Sequence, residues 1–429
     1  MLAPKSLGLL VATCASIYCA RAYDAQLPLT GGFAGRLDVV SLSAQEQEAL
    51  LQELYANMDV VDLMHMTGHG AGLDDERLVH MFGEDEARWM TEGDKLRLKK
   101  AGYYFADITE TPNLGQLNAQ RPSQLYSAPL LSTMTDSGRK DIRRMFTGLG
   151  DKHLRADIEK LTSFWNRNAY SNWGKLSSEW VLEHVKGIVS GASKLNTDVR
   201  QFAHKFPQSS VIAHLEGADD ETANKTLVII GAHQDSLNYA MPYHRAPGAD
   251  DDGSGTVTIM QILRSLIEHE FVPPKGVALE FHWYAAEERG LLGSRDIAAS
   301  YEKAGASVKG MLQMDMTAWV ANGTTPKIAF FDELTDPELT KFAAGLVETY
   351  IPLPWNLTGC GFGCGSDHSS WTRAGYPGIF ATEGFFNDFQ KRVHTPYDDL
   401  SEVDKEYSFE HMLEFVKLGI AFVAELSVA

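Results

Sequence analysis

Cysteine is scarce: the 429 residues hold four, and two of these, Cys14 and Cys19, sit in an N-terminal apolar stretch. A structural zinc site built on two cysteine pairs is thereby excluded, since it needs four ligands and only Cys360 and Cys364 would remain for it. Basic residues are also few, 38 Lys and Arg against 57 Asp and Glu for a net charge of -19. That balance argues against binding nucleic acid or an anionic membrane face, both of which need clustered positive charge. Beyond the first residues no apolar run approaches the length that spans a bilayer. The spacing HMTGH at His65 and His69 lacks the Glu of H-E-x-x-H, so these and His80 read as polar loop histidines. No G-x-S-x-G elbow occurs, and the adjacent Ser366, Asp367 and His368 cannot point at one another as a triad must. Internal repeats and low-complexity tracts are missing as well.

What is present begins with MLAPKSLGLLVATCASIYCARA, where one Lys precedes an apolar run and small residues follow at Ala20 and Ala22. This reads as a secretory signal peptide over residues 1–22 and implies a secreted, extracellular protein. In an oxidising compartment Cys360 and Cys364 should form a disulfide. Sequons at Asn224, Asn322 and Asn356 favour a glycosylated surface.

Length and a 44% hydrophobic content suffice for one large domain plus an accessory segment. Residues 23–115 are charged and helix-patterned, with a capping box from Ser43 to Glu46. TPNLGQLNAQRPSQLYSAPL then looks like an exposed linker, which puts the boundary somewhere in 110–123 and a large domain at 116–429. Past it, TLVIIGAHQ, VALEFHWYA, GMLQMDM, KIAFF and GIFAT read as strands between helical stretches near Val257–His269, Leu292–Gly305, Asp336–Tyr350 and Ser408–Ala424. The alternation predicts an α/β fold, a mixed, largely parallel sheet sandwiched by helices, with ligands bound at the carboxyl ends of its strands.

Acidic and histidine residues fall at those ends. His233 closes the strand LVIIGAH, and Asp235 two residues on is placed to accept its second ring N–H. Asp250, Asp251 and Asp252 stand side by side in APGADDDGSGT; this is either a turn with a helix cap or a cation site, because three adjacent anions repel. Glu287 and Glu288 follow VALEFHWYA and point in different directions, so one can bind metal while the other moves a proton. Asp315 is a lone carboxylate in the apolar GMLQMDMTAW and needs a strong partner if buried. RVHTPYDDL supplies His394, with Asp398 or Asp399 as its acceptor. Nitrogen and oxygen donors without thiolate suit catalytic zinc. A bridging Asp with one His and one carboxylate per metal uses five donors and leaves one glutamate over.

In these motifs the sequence resembles the co-catalytic two-zinc aminopeptidases secreted by bacteria and fungi, from about Leu154 to the C-terminus. Upstream, KKAGYYFADIT resembles the fungal leucine aminopeptidase branch in particular. The resemblance implies two Zn2+ per chain: His233 and Asp315 on one, Glu288 and His394 on the other, Asp251 bridging, and Glu287 as general base. It further implies supporting roles for Asp235, Asp252 and Asp398, a cis peptide at Asp251–Asp252, and a short disulfide, here CGFGC, beside the cleft. Where bacterial relatives often carry Tyr between those cysteines, this chain has Phe362, and Gly365 is an extra residue before Ser366.

The expected reaction removes the first residue, apolar and leucine-like, from peptides with a free N-terminus, in a pocket of Met316, Phe362 and Phe386. Residues 23–115 would be a mainly helical prosegment acting as intramolecular inhibitor, and the enzyme a monomer without nucleic-acid or membrane partners. Rivals are a one-zinc glutaminyl cyclase, a carboxypeptidase-type relative using Arg245, Arg289 or Arg373, and a non-catalytic module that kept the fold.

Overall fold

The apolar runs named above become the centre of a sheet in the computed structural model, which describes residues 57–121, 134–361 and 363–429. The expected signal peptide, the expected Ser43 capping box and Phe362 lie outside the described residues. Two compact units are present. One takes in the described residues up to Arg77, Trp89–Tyr103 and Tyr239–Pro242; the other comprises Leu78–Arg88, Tyr104–Asn238 and Tyr243–Ala429. The smaller unit holds the helix Val60–Met66, capped by Asp59, and the helix Glu92–Lys100, opened by a Thr91–Asp94 capping box. Arg97 donates to Asp59 at 2.8 Å and joins the two.

Three short strands precede the main sheet in the chain: β1 (Glu76–Met81), β2 (Ala87–Thr91) and β3 (Phe105–Asp107). β1 pairs antiparallel with β3, Val79 opposite Asp107 and Met81 opposite Phe105. These strands interrupt a segment whose charged, helical pattern does not signal them.

The larger unit is built on β4 (Leu195–Phe202), β5 (Ser210–Gly217), β6 (Thr226–His233), β7 (Val277–Tyr284), β8 (Ser307–Met314), β9 (Ile328–Phe331), β10 (Trp355–Thr358) and β11 (Gly378–Thr382). They lie in the order β10-β9-β11-β8-β6-β7-β5-β4. β6 runs parallel to both β7 and β8, β8 to β11, and β9 to β10, whereas β4 with β5, β5 with β7 and β9 with β11 are antiparallel. The sheet is thus mixed and more parallel than antiparallel.

β7 is buried along its whole length, as a strand covered on both faces must be. Its period of two splits the core. Val228, Ile230, Phe281 and Trp283 meet the helices Lys152–Thr162, Asn172–Val189, Gly253–Glu268 and Phe409–Val428 on one side. Leu227, Ile229 and Ala278 meet the helices Leu292–Ala304 and His368–Arg373 on the other. Strands β4, β5 and β10 escape sequence reading: β4 and β10 are edges, LNTDVRQF being half-exposed and charged so that no apolar alternation marks it, whereas β5 is interior and buried, and its SVIAHLEG was not singled out.

The exposed linker expected from Thr111 onward is, in its described part, seated on this unit. Leu114 is buried, Gln116–Gln120 forms a helical turn, and Glu302 accepts from the Gly115 and Asn118 N–H groups at 3.0 Å each. A buried carboxylate needs donors, and these backbone amides supply them.

Candidate metal centre

Each candidate ligand leaves the sheet where the parallel strands end. His233 is the last residue of β6, Asp315 follows β8 directly, and Glu287 and Glu288 lie just beyond β7. Asp251 stands in the loop before the helix Gly253–Glu268, and His394 in the loop before the turn Leu400–Glu402. The loops are shaped at a cost: Ala286, Met316 and His394 all carry positive φ (56°, 63° and 59°), a conformation worth about 1–3 kcal/mol of strain in a residue with a side chain. The peptide bond Asp251–Asp252 is cis, as the resemblance implied.

The aspartate between the histidines joins the site. His233 Nε2 lies 3.0 Å from Asp251 Oδ1 and 3.7 Å from Asp315 Oδ2. On the other side His394 Nε2 lies 2.7 Å from Asp251 Oδ2 and 3.6 Å from Glu288 Oε2. Two groups result, His233–Asp251–Asp315 and Asp251–Glu288–His394, the donor atoms of each within 4.8 Å of one another. Glu287, buried beside them, belongs to neither.

Electrostatics fit a cation. Burial opposes charge on the His233 ring, yet Asp315, Asp235 and Asp251 outweigh it and hold the ring's pKa well above the usual histidine value. Burial likewise disfavours the Asp251 carboxylate, but His394 and His233 keep it far below its ordinary range. Carboxylates that draw positive charge this strongly onto an imidazole are matched by a dication held between them.

Behind the ligands, Asp235 lies 3.3 Å from His233 Nδ1 and accepts the Glu287 and Glu288 N–H groups at 3.0 and 3.2 Å. One carboxylate therefore faces the ring of a candidate ligand and holds the backbone of both glutamates. Asp235→Ala is expected to cost about 10- to 100-fold in metal affinity or activity. Zinc titration of the dialysed variant checks this, and wild-type affinity together with wild-type turnover would refute the assignment.

Asp252 accepts from His233 N at 3.1 Å, Met316 N at 3.1 Å and Gly255 N at 2.9 Å, tying the ends of β6 and β8 to the helix between them. Asp398 departs from expectation. Rather than taking the His394 ring, its oxygens accept from Asp250 N and Asp251 N at 3.0 Å each and from Gln390 Nε2 at 3.1 Å. Asp399 accepts from Ser401 N and caps a turn. The loop carrying the shared aspartate has two amides that would otherwise be buried unpaired, and Asp398 satisfies both.

Two participants were not signalled by spacing. Arg167, wholly buried, donates to the carbonyls of Gln234 (2.7 Å), Gly248 (2.9 Å) and Pro247, clamping the loop that leads to Asp251. Glu383 accepts from Trp319 N at 2.7 Å beside Asp250, and burial pushes Asp250 up to about 7. Both lie outside the motifs that carry the candidate ligands, in stretches that look ordinary.

Cys360 and Cys364 are disulfide-bonded, so their proximity to Glu333 is not a thiolate metal site. Asp367 accepts from Gln313 and His368 faces the Glu333 carbonyl, pointing apart. Arg289 is turned to Asn168 and the Tyr170 ring. Asn224 and Asn322 are exposed, while Asn356 is half-buried on β10. Met316 follows Asp315 and is buried; Phe386 packs with Phe331, Phe380 and Cys364.

A helix-sandwiched mixed sheet whose parallel strand ends converge on two histidine and carboxylate groups sharing one aspartate has the donor set of a metal-dependent hydrolase. A family model described as peptidase family M28 matches residues 210–417. Leucine aminopeptidase 1 of Trichoderma harzianum is 43% identical over 350 residues, 80% of this chain and 85% of the relative. The same-named protein of Fusarium vanettenii is 42% identical over 351 residues, again 80% and 85%. Among solved structures, Legionella pneumophila LapA aminopeptidase aligns with a TM-score of 0.69 at 25% identity, covering 82% of this chain and 98% of that one. The chain belongs to peptidase family M28 and is a metallo-aminopeptidase.

Proposed function

We propose that the chain is an exported aminopeptidase that removes an apolar, leucine-like first residue from peptides, with two zinc ions and Glu287 as general base. The observation that carries this reading is the Asp251 carboxylate, set between two histidine–carboxylate pairs at 3.0 and 2.7 Å. Bound there, zinc supplies Lewis acidity toward a peptide carbonyl and lowers the pKa of water. His233, Asp251 and Asp315 would hold one ion, Asp251, Glu288 and His394 the other. Glu287 has its backbone pinned by Asp235, and its side chain takes the proton of the attacking water and returns it to the departing amine.

Export rests on the apolar leader, and among the described residues no helix is long and apolar enough to cross a membrane. The preference for leucine rests on the names of the fungal relatives and on the aromatic residues around Phe386. We further propose that the N-terminal segment is an inhibitory prosegment.

The test is release of N-terminal residues from a panel of free and N-acetylated peptides, before and after chelation, with zinc counted by mass spectrometry. Free peptides beginning with leucine should be trimmed, acetylated ones should not, and chelation should abolish trimming until zinc returns. One zinc per active chain, or trimming of the acetylated panel, would overturn the reading.

A further inference from the structure

Ser210, His204 and Asp296 come together from three parts of the chain in the arrangement of a serine-hydrolase triad. Ser210 opens β5, His204 lies in the loop that joins β4 to it, and Asp296 stands on the helix Leu292–Ala304. His204 Nε2 is 2.8 Å from Ser210 Oγ, and its Nδ1 is 2.8 Å from Asp296 Oδ2. A carboxylate accepts, which puts the ring proton on Nδ1 and leaves Nε2 to accept from the serine hydroxyl. The rings of Phe202 and Phe206, centred 5.3 and 4.8 Å from that of His204, help to hold the imidazole, which is fully buried.

This trio is not a second hydrolytic site. Ser210 is wholly buried, and its oxygen already accepts the Ala285 N–H at 2.9 Å, so no substrate carbonyl reaches it. What the oxygen holds is the peptide that leads into the glutamates. Ala285 follows β7, Ala286 carries a φ of 56°, and Glu287 comes next. A left-handed residue with a side chain persists only where its surroundings over-determine it. Ser210 takes the Ala285 N–H on one side, and Asp235 takes the Glu287 N–H at 3.0 Å on the other. The Ala285 carbonyl accepts from Gly293 N at 3.0 Å, at the start of the helix that carries Asp296. A Cβ at Gly293 would stand 2.3 Å from that carbonyl oxygen and 2.9 Å from Ser210 Oγ, so helix, serine and turn pack in direct contact.

The geometry points to Ser210, oriented by His204 and Asp296, as a positioning residue that aims Glu287 through the Ala285–Ala286 turn. A lone serine hydroxyl rotates to suit its neighbours. His204 fixes it by accepting its proton, and Asp296 fixes His204 by accepting the proton on Nδ1. The inference rests on the reading of Glu287 as general base and adds the groups that set its aim. A base must meet the proton of the attacking water at hydrogen-bond distance, so a shift of its backbone is felt in turnover rather than in substrate binding.

Zinc-loaded variants are compared with wild type on leucine p-nitroanilide. Ser210→Ala and His204→Phe should each lower kcat by on the order of ten- to a hundredfold, the cost of a slightly misplaced catalytic group, with KM and zinc content unchanged. The double variant should fall no further than either single one, since all members act through one contact. His204→Gln sets an amide oxygen near the position of Nε2 and should recover most of what His204→Phe loses. If Ser210→Ala does not fold, Asp296→Ala, at a side chain 29% exposed, carries the test with a smaller fall in kcat alone that Asp296→Asn recovers. In a Glu287→Ala background Ser210→Ala should cause no further loss, because the base it aims is gone. A folded Ser210→Ala with wild-type kcat, a fall traced to lost zinc or to raised KM, or an additive loss in the Glu287→Ala background would overturn the proposal. Wild-type kcat in Glu287→Ala would refute the base reading and the proposal with it, whereas a silent Glu287→Ala beside an unaffected Ser210→Ala would refute the relay alone.

Discussion

Glu287→Ala is expected to lower turnover of a leucyl substrate by on the order of 10²- to 10⁴-fold or more, while zinc content stays at the wild-type value. Glu287 is buried beside both candidate metal groups but contributes to neither, and Asp235 fixes its backbone. In the proposed mechanism its removal deletes the proton carrier and leaves all five candidate donors in place. Glu288→Ala is the contrast, because Glu288 stands 3.6 Å from His394 Nε2 within the second group and its loss should empty that site. Stopped-flow turnover with parallel metal analysis separates the two. Metal loss in Glu287→Ala would transfer the base role to Glu288.

Asp251→Ala should empty both metal sites together, since one carboxylate faces His233 through Oδ1 and His394 through Oδ2. No other donor belongs to both groups, so this substitution has the largest expected effect on metal content among the described residues. Asp250→Asn should behave differently despite its adjacency. The Asp250 carboxyl is directed at the Ala318 N–H and at Glu383 and Ser254, away from the donors. Its loss should leave two zinc ions bound and cost about 1–3 kcal/mol of stability, the price of one broken buried hydrogen-bond network. Isothermal titration and denaturant unfolding measure these outcomes. Should Asp250→Asn lose both metals while Asp251→Ala keeps them, the shared ligand has been misplaced by one residue.

The strands that carry the site were legible in the sequence because a strand buried on both faces must be a continuous apolar run. TLVIIGAH and VALEFHWY could be little else, and polar residues closing such runs stand out. Hence His233, Glu287, Glu288 and Asp315 were visible one at a time, and their motifs together pointed to a family. Edge strands such as β4 carry no such mark, since half their surface faces water.

Tertiary structure alone decided how the groups divide and what supports them. That Asp398 serves the amides of Asp250 and Asp251 instead of the His394 ring depends on where a loop returns in space, about which chain adjacency says nothing. Arg167 is a similar case: its role as a clamp follows from three carbonyls that only the folded loop brings together. Tyr104 sits in a stretch that reads as charged and helical, and its place beside Phe380 and Phe386 arises only when a short antiparallel strand pair delivers it there. Local sequence determines which residues are buried or end a strand, because burial and backbone period act over a few residues. Which distant groups then share a charge, a ring or a recess is set by packing, where the cost of leaving a buried polar group unpaired selects one partner from many.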